Sequence, residues 1–148
     1  MRTYADTSFL TALYLTDNLT HTAGVYMARN PRPLLLTDIQ EAELRNAFRL
    51  RVAQKRSSSE EVFRALLHFD RDIDDVIYEN AVPDWPRTFR EFEQISRKYT
   101  EQGGHRFADV LHVATALTLE SNIFLTFDQR QARLAQAEGM KTPLALQG

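Results

Sequence analysis

Two short apolar runs, one near each end of the chain, stop at an aspartate and lead into a helical pattern. Met1 to Asp6 reads as an extended stretch, and Phe9, Leu10, Leu13 and Tyr14 then fall at helical spacing. Thr7 or Ser8 supplies the N-cap. Ile123-Phe124-Leu125-Thr126-Phe127 reads as a buried strand with Asp128 at its end. Gln129 to Glu138 follows as a helix, stopped by Gly139. A strand that ends in an acid and feeds a helix is half of a βαβ unit. Open parallel sheets carry their chemistry at that end of the strands.

The middle of the chain repeats the alternation. Asn30-Pro31-Arg32-Pro33 is a break, and Leu34-Leu35-Leu36-Thr37 is a fully apolar strand of the kind a parallel sheet buries on both faces. Thr37 caps a helix to about Gln54, on which Ile39, Glu43, Ala47 and Leu50 share a stripe. Ser58 and Glu61 make a capping box for a helix holding Val62, Phe63, Leu66 and Leu67. Asp70 to Pro86 reads as acidic and irregular, with a short strand at Val76-Ile77-Tyr78. A helix from Arg87 to about Thr100 turns Phe89, Phe92 and Ile95 inward and ends at Gly103-Gly104. Arg106 to Leu119 is the most regular helix, and Met140 to Leu146 is an edge strand carrying Pro143. Strands alternating with helices predict an α/β fold: three layers, α/β/α, on a mainly parallel sheet. A length of 148 residues suits one domain, 1–148.

Composition narrows the function classes. The absence of cysteine excludes disulfides, thiolate zinc sites and a cysteine nucleophile, and it is compatible with a cytoplasmic protein. A net charge of -2 gives no global attraction to nucleic acid, so polyanion binding has to come from a local patch. No apolar run approaches the ~18–20 residues of a membrane span, and Arg2, Thr3, Tyr4 and Asp6 leave no signal-peptide core at the N-terminus. There is no glycine-rich phosphate loop and no Gly-x-Ser-x-Gly elbow.

Asp6 and Asp128 take equivalent places at strand ends, and Glu43 and Asp109 sit on helices that follow or flank those strands. Each acid has an ordinary explanation alone: Asp6 and Asp128 as helix caps, Asp109 as a complement to the helix dipole, Glu43 as a solvated side chain. Together they suggest a pocket of carboxylates. Like charges brought together raise one another's pKa, and a divalent cation relieves the repulsion. All-oxygen ligands suit Mg²⁺ or Mn²⁺. Thr7, Ser8 and Thr126 place hydroxyls beside two of the acids. Arg45, Arg49, Arg51, Lys55 and Arg56 crowd the distal part of the Glu43 helix, where they grip the phosphates of a polyanion or make an ordinary solvated face. Arg106 either meets a phosphate or makes a structural salt bridge. His112 is expected as a satisfied core histidine. Trp85, Phe89, Phe92 and Tyr99 are expected as core or dimer surface rather than a base-stacking platform.

These segments carry a resemblance that covers nearly the whole chain in order. Asp6-Thr7-Ser8-Phe9-Leu10 resembles the opening motif of PIN-domain proteins, and Glu43-Leu44-Arg45-Asn46-Ala47 is similar to their helical Glu motif. The Leu-Arg-x-Ala pattern favours Glu43 over Glu41 as the motif acid. Arg106-Phe107-Ala108-Asp109-Val110-Leu111-His112-Val113-Ala114-Thr115-Ala116-Leu117 resembles the third-acid helix. Phe124-Leu125-Thr126-Phe127-Asp128-Gln129-Arg130, with Leu134-Ala135 and Gly139, looks like the fourth motif. In size and pattern the chain most resembles VapC-type toxins of toxin–antitoxin pairs. The resemblance implies a Mg²⁺- or Mn²⁺-dependent endoribonuclease with Asp6, Glu43, Asp109 and Asp128 as its acids, supported by Ser8 and Thr126. It further implies an RNA substrate, a homodimer and a small antitoxin partner. An extra acid that some members carry after the fourth motif is absent, since Gln129, Arg130 and Gln131 stand there. The alternative is a catalytically silent RNA- or protein-binding domain of the same fold.

Overall fold

A computed structural model gives the structure of the protein and describes residues 1–145. Its elements are β1 (Thr3–Ala5), α1 (Thr7–Tyr14), α2 (Thr20–Arg29), β2 (Leu34–Leu36), α3 (Asp38–Ala53), α4 (Ser59–Asp74), β3 (Tyr78–Asn80), α5 (Trp85–Gly103), α6 (Phe107–Thr118), β4 (Ile123–Leu125) and α7 (Gln129–Ala137). The class is the expected one, a three-layer α/β/α fold on a four-stranded, all-parallel sheet. Among the described residues no helix is long and apolar enough to cross a membrane. The chain forms two compact units, one of Met1–Asp6 with everything from Ala81 onward, the other of Thr7–Asn80.

In the first unit β1 runs parallel to β4, with Thr3 opposite Ile123, Tyr4 opposite Phe124 and Ala5 opposite Leu125. The strands are short but buried, so their stability comes from packing rather than from ladder length. Tyr4 stacks on Phe124, centroids 5.6 Å apart, and its hydroxyl meets His112 Nδ1 at 2.7 Å. His112 is therefore the satisfied core histidine expected of it. Helix α6 is buried from Val110 through Ala116 and packs against α5 and α7. Asp84 caps α5, Pro86 lies in its first turn where a missing N–H costs nothing, and Gly104 ends it in the left-handed region at φ 66. Gly139, at φ 91, follows α7 in the same way. The expected edge strand over Met140–Leu146 reduces to a single bridge, Lys141 to Ile123; Leu146 lies outside the described residues.

In the second unit β2 and β3 are parallel, Leu34 opposite Tyr78 and Leu36 opposite Asn80. Helix α1 packs against α2, α3 and α4. Both expected capping boxes are present, Thr37 with Gln40 on α3 and Ser58 with Glu61 on α4. Tyr14 sits among Phe48, His68 and Phe69, and Phe69 meets Tyr78 edge to face. The Tyr14 hydroxyl donates to Asp72 Oδ2 at 2.7 Å and lies 2.5 Å from the Tyr78 hydroxyl. Burial first, then the neighbouring hydroxyl and carboxylate, holds the Tyr14 phenol far above its ordinary titration range.

Helix α2 buries only Ala23 and so shows little apolar periodicity. Three local expectations are corrected here. The buried stripe of α3 is Gln40, Leu44 and Phe48, one position on from the expected stripe, and Leu50 is exposed. Gln40 can be buried because its side chain accepts the Thr37 N–H. The acidic stretch from Asp70 is the last turn of α4, not a loop. Carboxylates are unfavourable at a helix C-terminus, but Phe69 in the core and the Tyr14–Asp72 bond hold the turn. Phe89 on α5 is exposed rather than inward.

Candidate functional site

In the first unit, three of the motif acids are tied into one run of hydrogen bonds. Asp6 follows β1 and is only 3% exposed. Its own N–H continues the ladder to the Leu125 carbonyl at 3.0 Å, which fixes the backbone beneath the carboxylate. The Thr126 hydroxyl donates to Asp6 Oδ2 at 2.5 Å and accepts the Asp128 N–H at 3.0 Å. Asp128 Oδ1 accepts the N–H groups of Arg130 and Gln131 at 2.9 and 3.2 Å, capping α7. The Gln131 side-chain amide then reaches the Asp109 carbonyl at 3.5 Å, a long contact that links the start of α7 to the first turn of α6. One parallel strand pair and two helix starts thus bring Asp6, Asp128 and the Asp109 backbone into a single polar network.

The carboxylates differ in how far they are committed. Asp128 is the helix cap that a lone aspartate in that position suggests, yet among the described residues only Oδ1 finds a partner. Asp109 is half-buried in the first turn of α6, and among the described residues its carboxylate makes no hydrogen bond or ion pair. A half-buried carboxylate without a donor is costly unless something from outside satisfies it.

In the second unit Glu43 is half-buried on α3, and the Thr7 hydroxyl donates to its Oε1. Ser8, half-buried, is the next residue on α1. Glu41 is bound to Arg45 at 3.0 Å. Arg45 also meets Asp70 at 2.6 Å and lies over the Phe69 ring at 5.1 Å. Two carboxylates thus already flank its charge. Arg49 and Arg106 are exposed and, among the described residues, make no such pair.

Sequence reasoning missed Gln131. It stands where an extra acid was sought, and its burial at 3% exposure with polar contacts on both sides gives it a linking role instead. Its capping distance from Asp128 was the available signal.

The chemistry of the donor set fits a hard divalent cation, since every free atom is a carboxylate oxygen. Among the described residues no three His, Cys, Asp or Glu side chains form a group that could hold a metal ion. Mg²⁺ does not need such a cage. It keeps several waters and takes one or two protein carboxylates together with substrate phosphates. Asp109 and Asp128 offer such carboxylate oxygens.

No curated protein matches the sequence. Among solved structures, PAE2754 from Pyrobaculum aerophilum is similar in fold, with a TM-score of 0.55 at 13% identity, over 96% of this chain and 89% of that one. A sequence profile of the PIN domain matches residues 3–137, a span that includes all four motif acids. PIN domains are generally nucleases, and this chain belongs to the PIN-domain family.

Proposed function

We propose that the protein is a Mg²⁺- or Mn²⁺-dependent endoribonuclease and the toxin of a type II toxin–antitoxin pair. The observation that carries the nuclease reading is the network joining Asp6, Thr126, Asp128 and Asp109, with free oxygens on Asp109 and Asp128. Asp6, Asp109 and Asp128 are the proposed cation ligands; Glu43 joins them on motif order. When bound, the cation supplies charge neutralisation at the phosphate and a water of lowered pKa. The chain's own residues hold the reacting groups in place. Thr126 fixes the Asp6 carboxylate, and the α7 N–H groups fix Asp128. The Asp109 carboxylate orients the attacking water, whose proton passes to solvent. The water oxygen bonds to phosphorus as the bond to the 3′-oxygen breaks, and that oxygen gains a proton from solvent, giving 5′-phosphate and 3′-hydroxyl ends.

The toxin role, with a homodimer, a small inhibitory antitoxin and a cytoplasmic site of action, rests on likeness to VapC-type toxins in size and motif order. A silent RNA- or protein-binding domain is the second reading, favoured by the lack of any three-ligand group among the described residues. Incubation with total cellular RNA, with and without Mn²⁺, separates the two. The nuclease reading expects Mn²⁺-dependent cuts with 5′-phosphate ends, abolished by Asp109→Asn in a protein whose circular dichroism is unchanged. Equal cutting by wild type and Asp109→Asn overturns the site, and intact RNA under every metal condition leaves the silent domain.

A further inference from the structure

We propose that Tyr14, His68, Asp72 and Tyr78 form a second metal site, one that binds ferric iron through two tyrosine oxygens. The site shares no residue with the acid network, so it stands independently of the nuclease reading. Its oxygens already converge. The Tyr14 hydroxyl lies 2.7 Å from Asp72 Oδ2 and 2.5 Å from the Tyr78 hydroxyl. Oxygens at ~2.0–2.1 Å on neighbouring octahedral positions of one ion stand ~2.8–3.0 Å apart, so the three need little movement to share an ion. His68 lies one turn before Asp72 on α4, with Nε2 3.7 Å from the same Oδ2. Its side chain is 60% exposed and has room to turn that nitrogen onto the ion. Tyrosine supplies two of the four ligands, so no third His, Cys, Asp or Glu is needed.

The backbone holds the donors together. The Ile77 N–H bonds to the Asp72 carbonyl at 3.0 Å, and Tyr78 follows at once as the first residue of β3. The turn between them carries Val76 at φ 60. A β-branched residue in the left-handed region is strained, and such strain gathers at ligand sites. A purely structural polar cluster fills its space. Here Tyr14, His68 and Asp72, with Val76 and Ile77, line a cavity of about 610 Å³, from which water completes the coordination. The donor set selects the ion. Burial above all holds both phenols far above their ordinary titration range, so an ion that binds them has to displace their protons to solvent. Two phenolates and one carboxylate then carry three negative charges. Fe³⁺ neutralises all three, whereas a divalent ion leaves a net charge in a half-buried place.

The test strips the full chain with a chelator and titrates it with Fe³⁺ delivered as its nitrilotriacetate complex. Phenolate-to-iron charge transfer is expected to give a visible absorption band, which the acid network, having no phenol, does not produce. Tyr14→Phe should at least halve the band, and Tyr14→Phe with Tyr78→Phe should abolish it. His68→Ala should weaken iron binding by at least ~10-fold at an unchanged melting temperature. Asp109→Asn should keep the wild-type band. A protein that stays colourless, a band that survives both tyrosine changes, or a band lost with Asp109→Asn overturns the site and leaves Mn²⁺-dependent RNA cutting as it stands. Should circular dichroism show that the tyrosine variants are unfolded, His68→Ala decides, and undiminished iron binding by it overturns the proposal.

Discussion

Thr126→Val is the sharpest probe of the acid network, because the substitution keeps shape and removes only the hydroxyl. Thr126 is 1% exposed and serves two partners, donating to Asp6 Oδ2 and accepting the Asp128 N–H. Losing a hydrogen bond to a charged group costs ~1.5–3 kcal/mol, and losing the neutral one ~0.5–1.5 kcal/mol. No water replaces the hydroxyl in a site already filled by the valine methyl. The expected loss is therefore ~2–4 kcal/mol, below the simple sum where Asp6 relaxes. In urea, with a slope of ~1–3 kcal/mol per M, the unfolding midpoint should fall by ~1–2 M. Thr126→Ser should recover most of it. A double-mutant cycle with Asp6→Asn should show coupling of ~1–3 kcal/mol, since the two groups share a bond. A Thr126→Val midpoint within ~0.3 M of wild type would refute the argument that this hydroxyl holds the buried carboxylate.

Asp128→Ala should cost ~0.5–2 kcal/mol through the lost cap on α7, read as a lower thermal midpoint. Asp128→Asn keeps the cap, so it should retain the midpoint while losing Mn²⁺-dependent cutting; loss of both would make Asp128 only a cap. Gly104→Ala places a side chain at φ 66, with its Cβ 3.2 Å from Arg130 Nη2. Left-handed strain of ~1–2 kcal/mol is expected, together with loosening of the Arg130 bond to the Gly103 carbonyl at 2.7 Å. An unchanged melting temperature would count against it. The raised Tyr14 pKa gives a signed pH dependence. Folded Tyr14 keeps its proton at pH values where the unfolded chain ionises it. Its contribution is thus complete below pH ~10 and declines as pH rises above that, by ~1.4 kcal/mol per pH unit. Tyr14→Phe should flatten the alkaline arm of a stability–pH curve measured in urea; an unaltered slope would show that Tyr14 titrates normally.

Much of the fold could be read from residue order because the deciding signals are local. A capping box needs only Thr37 and Gln40, or Ser58 and Glu61, three residues apart. Strand β2 needs only its leucine run, and the stops at Gly104 and Gly139 need only a residue without Cβ at positive φ. The alternation of strand and helix then implies the parallel class. The order of the motif acids is likewise a property of the chain alone.

Partnership between distant residues was not legible in that way. The chain sets Thr126 120 positions from Asp6, and only the parallel pairing of β1 with β4 brings the hydroxyl to the carboxylate. The face of α3 that goes inward, the turn that keeps Asp70–Asp74 helical and the exposure of Phe107 depend on what packs alongside, which no periodicity within a single helix can state. The same holds for the two arginines. Arg45 and Arg106 look alike in sequence, yet Asp70, 25 positions away, pairs with one, while the other meets no acid among the described residues. Local propensity specifies elements because their hydrogen bonds close within a few residues. Burial and charge pairing belong to the assembled structure, since each is settled by groups that only the fold makes neighbours.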